Sequence, residues 1–162
     1  MKITALDGYT LDLNKSIWER FNDLGEFNYF DDSSEDQVIE RTINSNVILV
    51  NKVNINEAVI NKSKDLKLIV ATATGYNNID AEYAKKKGIL VCNVPAYGTD
   101  SVMQMTFAHI LNFACQFNLH VNSVANGDWS QANDFCYSLN GLSEIAGKTL
   151  GIVGLGTIGK RV

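Results

Sequence analysis

Proline, histidine and cysteine are all scarce in this 162-residue chain, and each shortage excludes something. A single proline, Pro95, leaves no proline-rich linker or stalk. The three cysteines, Cys92, Cys115 and Cys136, lie far apart with no Cys-x-x-Cys spacing. They make neither a zinc ligand set nor a disulfide framework, and read as reduced thiols in a cytoplasm. With only two histidines, His109 and His120, no metal site is expected. No apolar run approaches the roughly 18 residues that span a bilayer. The opening MKITALD lacks the long apolar segment and cleavage site of a signal peptide. A net charge of −4 with no Lys/Arg stripe argues against a nucleic-acid partner.

What is present is an alternation of short apolar runs with helical patterns. Ile3 to Leu6 is apolar and ends in the turn Asp7-Gly8. Asn14 is placed to cap a helix through Ile17, Phe21 and Leu24, stopped by Gly25. Phe27 to Phe30 reads as a strand, and Ser33 or Ser34 as the cap of a helix through Val38, Ile39 and Ile43. Val47 to Val50 is four consecutive apolar residues, the pattern of a strand buried on both faces. A short helix over 55–60, a strand over 66–70, a helix over 80–87 ended by Gly88 and a strand over 89–91 follow. Strands alternating with helices predict an α/β fold with a parallel sheet. After Pro95 the rhythm changes. Asp100 or Ser101 is placed to cap a longer helix to about Val121, a polar stretch covers 122–147, and Lys148 to Val153 reads as a new strand. The division expected is residues 1–97 and 98–162.

That last strand runs into Gly154, Gly156 and Gly159, which satisfy Gly-x-Gly-x-x-Gly. In a dinucleotide-binding turn the first glycine allows the tight bend and the second lets a pyrophosphate approach the backbone. The third lets helix and strand pack closely. The pattern alone is weak, since glycine-rich turns are common, but a strand before it and a helical pattern after it strengthen it. The alternative is a tight turn with no ligand.

Two longer stretches sharpen the reading: ATATGYNNIDAEYAKKKGILVCNVPAYGTDSV, residues 71–102, and GDWSQANDFCYSLNGLSEIAGKTLGIVGLGTIGKRV, residues 127–162. Together they resemble the D-isomer-specific 2-hydroxyacid dehydrogenases. The Trp129-Ser130 and Asp134-Phe-Cys-Tyr137 elements look most like the glycerate dehydrogenase (hydroxypyruvate reductase) branch. The resemblance covers essentially the whole chain and corresponds to the first half of a typical member. It implies a flavodoxin-like parallel-sheet substrate domain followed by the truncated start of a Rossmann NAD-binding domain. It also implies reduction of a small 2-keto acid, hydroxypyruvate or glyoxylate, with NAD or NADP as cofactor, and a homodimer in the full-length parent.

The same resemblance assigns residues. Thr74, Gly75 and Tyr76 match the loop that holds the substrate carboxylate, where Gly75 would permit an unusual backbone geometry and successive N–H groups an anion nest. Asn51 and Lys52 match a loop lining the substrate cleft; a solvated lysine is the alternative for Lys52. Val102 and Thr106 match positions near the nicotinamide, although ordinary helix packing and an i−4 backbone bond explain them equally well. Gly154, Gly156, Thr157, Ile158 and Gly159 match the cofactor turn. One departure is Met103-Gln104, where the family often has Ala-Glu. The family's catalytic arginine, glutamate and histidine lie past the glycine triplet, and Glu144, Arg161, His109 and His120 do not match them. No catalytic residue is therefore assigned, and the expectation is a truncated, inactive form. The alternative is a non-catalytic binding or oligomerisation module.

Overall fold

The computed structural model describes residues 1–11, 16–139 and 141–162. Asn14, the expected helix cap, lies outside the described residues. The chain divides into two units, Met1–Pro95 and Ala96–Val162.

The first unit is built on five parallel strands: β1 (Lys2–Ala5), β2 (Glu26–Tyr29), β3 (Val47–Val50), β4 (Leu68–Ala71) and β5 (Leu90–Cys92). They are ordered β2-β1-β3-β4-β5. This is the flavodoxin-like arrangement, whose strand order reverses between β1 and β3. Side chains of a strand alternate between its faces, so one central strand feeds two cores. Ile48 and Val50 point to the face covered by α1 (Glu35–Thr42), α2 (Glu57–Lys62) and α3 (Ala81–Lys86), where they join Val38, Val59, Ile60 and Ala84. Val47 and Leu49 point to the other, where Ile3, Ala5 and Trp18 meet them. That explains why Val47–Val50 carries no polar residue: every position is buried. Burying such a side chain contributes about 1.5–3 kcal/mol.

The 17–24 segment winds as a 3₁₀ helix, Ser16–Leu24, instead of the expected α-helix. Its Trp18 stacks with Phe27 at 5.9 Å and leans on Phe21 and Tyr29, so aromatic packing against β2 and β1 holds it. Helix starts follow from local chemistry. Asp80 Oδ1 accepts the Tyr83 N–H at 2.9 Å, Asn56 Oδ1 accepts the Val59 N–H at 3.1 Å, and Gln37 Oε1 accepts the Ser34 N–H at 3.2 Å. Each satisfies an amide that the first helical turn leaves free.

Two expectations for the second unit need correction. The long helix starts at Thr99, after Gly98, and breaks at Gln116, giving α4 (Thr99–Cys115) and α5 (Phe117–Ala125). Gln116 takes a left-handed conformation at φ 49°, and Asn112 Oδ1 caps the new helix by accepting the Asn118 N–H at 3.2 Å. Residues 148–153 form no strand. A parallel strand needs a neighbour for its N–H and C=O groups, and the second unit has no other strand among its described residues. Val153 and Leu155 stay exposed. The last helix, α6 (Thr157–Arg161), packs on α4, and Arg161 Nε lies 2.6 Å from Asp100 Oδ1.

Candidate functional site: the carboxyl edge of the sheet and the glycine turn

Loops leave the carboxyl ends of β1, β3 and β4 side by side at the strand-order reversal, where open α/β sheets bind ligands. The β3 loop carries Asn51 and Lys52. The β4 loop carries Thr74, Gly75 and Tyr76. Adjacency in the sheet brings all five to one edge of the first unit.

The two loops are stapled together. Asn78 Nδ2 donates to the Val53 carbonyl at 2.8 Å and to the Asn51 carbonyl at 3.3 Å. The Ile55 N–H donates to the Asn78 carbonyl at 2.8 Å, and the Asp80 N–H returns to the Ile55 carbonyl at 3.0 Å, closing a one-residue bridge between Ile55 and Ile79. The β4 loop is also held from its far side. Asn93 Nδ2 donates to the Thr74 carbonyl at 2.8 Å, and Thr74 Oγ1 donates to the Val94 carbonyl at 3.0 Å. The Thr74 hydroxyl therefore serves the scaffold, while Gly75 and Tyr76 are exposed residues.

Gly75 corrects one expectation. Its φ lies outside the left-handed range, and a Cβ built there meets nothing within 4 Å. The missing side chain is not required by the turn; it leaves open space above the backbone. Tyr76 lines a groove of about 390 Å³ with Lys85, Leu90 and Cys92. Lys52 is exposed, whereas Asn51 Oδ1 is buried without a hydrogen-bond partner.

The β3 loop has a further partner that carries only the mark of a turn residue in the sequence. Asp7, following β1, is 3% exposed. Its Oδ1 accepts the Asn51 N–H at 2.9 Å, and its Oδ2 accepts those of Asn51 at 3.0 Å, Lys52 at 2.5 Å and Val53 at 3.0 Å. A buried carboxylate is tolerable only when its charge is met, and here backbone amides meet it. Asn78 was likewise missed. The polar pair Asn77-Asn78 shortly after Gly75 is the one local signal that this loop needs side-chain support.

In the second unit the glycine turn shows three distinct geometries. Gly154 has φ +101°, a conformation other residues rarely adopt. At Gly156 a Cβ would meet nothing within 4 Å. At Gly159 it would sit 2.0 Å from the Gly154 carbonyl oxygen, so the helix could not approach the turn with any side chain there. Thr157 and Ile158 open α6 directly after Gly156. Val102 is exposed in the first turns of α4, near Asp100, the partner of Arg161 on α6. The Thr106 hydroxyl donates to the Val102 carbonyl at 2.8 Å, the i−4 bond foreseen as its alternative.

The histidines have other tasks. His120 Nδ1 lies 3.0 Å from the Gln116 carbonyl and Nε2 accepts the Leu139 N–H at 3.3 Å, which binds the polar segment to α5. His109 borders an apolar groove with Phe113, Ile145 and Leu150. The three cysteines are free and exposed. Among the described residues no cluster of His, Cys, Asp and Glu could hold a metal ion, and no helix is long and apolar enough to cross a membrane.

A 2-1-3-4-5 parallel sheet with two stapled loops on its carboxyl edge defines a flavodoxin-like α/β unit. The chain belongs to the D-isomer specific 2-hydroxyacid dehydrogenase family, whose catalytic domain its residues 5–154 match. It is 36% identical to a hydroxypyruvate reductase of Blautia hydrogenotrophica over 163 aligned positions, covering 99% of this chain and 51% of that protein. With a glycerate dehydrogenase of Methylorubrum extorquens it shares 31% identity, again over 99% of this chain and 51% of the relative. The chain thus spans about half the length of the curated relatives it matches. Among solved structures, an acyclic imino acid reductase in complex with NADPH and D-Arg superposes with a TM-score of 0.77 at 27% identity, over 99% of this chain and 50% of that one. The D-lactate dehydrogenase of Aquifex aeolicus, complexed with NAD and lactic acid, gives 0.72 at 25% identity over 99% and 46%.

Proposed function

We propose that these residues are the acid-holding part, and the opening of the cofactor unit, of a cytoplasmic reductase that converts hydroxypyruvate or glyoxylate to a D-2-hydroxy acid. The stapling of the Asn51–Lys52 and Thr74–Tyr76 loops on one sheet edge carries this reading. The N–H groups of the exposed residues Gly75 and Tyr76 receive the substrate carboxylate, and Lys52 adds positive charge beside it. Thr74 and Asn51 contribute by shaping the loops. The names of the two relatives support the choice of acid.

NADH or NADPH, when bound, supplies the hydride. The glycine turn fits such a group: the space open at Gly156 is where a pyrophosphate would need to reach the backbone. Gly154 and Gly159 set the turn, Thr157 and Ile158 present the first amides of α6, and Val102 and Thr106 on α4 border the cofactor. The same reading includes association of two copies through the helical segment 100–121. No residue of this stretch matches the family's catalytic arginine, glutamate or histidine, and the role proposed for the residues present is to hold and orient the ligands.

Two readouts on the purified chain test this. NADH or NADPH fluorescence should saturate on titration, and hydroxypyruvate should produce no oxidation above the buffer rate. Oxidation well above that rate would contradict a role limited to holding and orienting. Failure to bind either the acid or a cofactor would contradict the reading as a whole.

A further inference from the structure

The β3 loop turns three consecutive amides, those of Asn51, Lys52 and Val53, toward one point at the strand-order reversal. Such a set of N–H groups is an anion-binding concavity, and it sits where open α/β sheets take their ligands. In this chain the concavity is filled from within. Asp7 supplies the anion, 3% exposed, with both carboxylate oxygens engaged by those three amides. The carbonyl side of the same turn is held by Asn78, at Asn51 and Val53. No backbone donor of residues 51–53 is left to meet an incoming acid. One strand over, Gly75 and Tyr76 are exposed and a Cβ at Gly75 would meet nothing.

We propose that Asp7 is a specificity-determining residue of the substrate edge. It acts as a built-in carboxylate that closes the anion nest at Asn51–Val53 and confines the small acid to Thr74–Gly75–Tyr76. This rests on the functional reading above and narrows it: the β3 loop offers the acid the Lys52 side chain, not its backbone. Asp7 touches neither substrate nor cofactor. It works through the loop, and its removal creates a second anion site instead of merely weakening the first.

Amide NMR of the ¹⁵N-labelled chain, titrated with oxalate and separately with formate, tests this. Potassium chloride at equal ionic strength is the control. In the wild-type chain oxalate should shift Thr74, Gly75 and Tyr76 and leave Asn51, Lys52 and Val53 in place. In Asp7→Ala those three amide protons should move upfield, as the charge-assisted bonds are lost. Formate should then return them downfield saturably and chloride should not. If Asp7→Ala does not fold, Asp7→Asn keeps the size and loses the charge, and its nest amides should move upfield in the same way. The proposal is overturned if the Asn51–Val53 amides answer oxalate in the wild type as strongly as the β4 loop does. It is also overturned if they stay in place, or ignore formate, when Asp7 is replaced. Silence of Thr74–Tyr76 in every titration sinks the functional reading instead, while the formate response still reports on Asp7.

Discussion

At the scale of single residues, the site depends on side chains whose importance lies in what they hold. Asp7 and Asn78 grip the same turn from opposite sides, one through its amides and one through its carbonyls. Replacing Asn78 by Ala removes both bonds to a partly buried turn. It should cost about 1–3 kcal/mol in urea unfolding, with amide exchange rising at residues 51–53 and 74–76 together. An increase in only one loop would show that the staple does not couple them. Neither residue could be assigned from the sequence. Asp7-Gly8 has the composition of any turn, and its partners lie more than forty positions away, a distance that no local pattern encodes. Thr74, Gly75 and Tyr76 stood out only through family likeness, since a Thr-Gly-Tyr loop carries no period and little propensity of its own.

At the scale of elements, sequence was informative where the signal was local and silent where it depended on partners. Val47–Val50 declared itself because a strand buried on both faces tolerates no polar residue. The helix expected over 80–87 does stop at Gly88, which takes a left-handed φ of +73°, whereas the one expected over 55–60 runs on to Lys62, past any capping residue the sequence marks. The break at Gln116 was not legible either, because a left-handed glutamine leaves no compositional mark. Residues 148–153 have strand composition, yet a strand exists only against a neighbour. The glycine turn makes separable predictions. Gly159→Ala places a Cβ against the Gly154 carbonyl, so it should displace α6, break the Arg161–Asp100 pair and speed amide exchange in α6. Gly156→Ala meets nothing and should leave that exchange unchanged, yet weaken NADH or NADPH binding by about tenfold, roughly 1.4 kcal/mol. Equal effects of the two on exchange would contradict the separation of packing from approach.

The start of α1 responds to acid. The Ser34 hydroxyl, and after it the residue's own N–H, hold the Asp36 carboxyl below the usual carboxylate range. A depressed folded value means the contribution is complete above the unfolded carboxylate's range and fades as pH falls through the folded one. The first turn of α1 should therefore fray selectively at the acid end of the carboxylate range, as seen by amide exchange. In Ser34→Ala that fraying should begin at higher pH. A start that is indifferent to pH in both proteins would refute this.

At the scale of the whole molecule, the first unit is a doubly fed sheet whose loops can be altered without touching the core. Its two apolar clusters lie on opposite faces, and the Asn51–Lys52 and Thr74–Tyr76 loops sit beyond the strand ends. That separation lets one substitution probe the Thr74–Tyr76 backbone alone. A calorimetric titration of hydroxypyruvate into the wild-type chain and into Gly75→Ala compares binding where only open space above the backbone has changed. In Gly75→Ala binding should weaken at least about tenfold, with the unfolding free energy preserved within about 0.5 kcal/mol. Equal affinity in the two proteins would contradict the claim that the Thr74–Tyr76 backbone holds the acid.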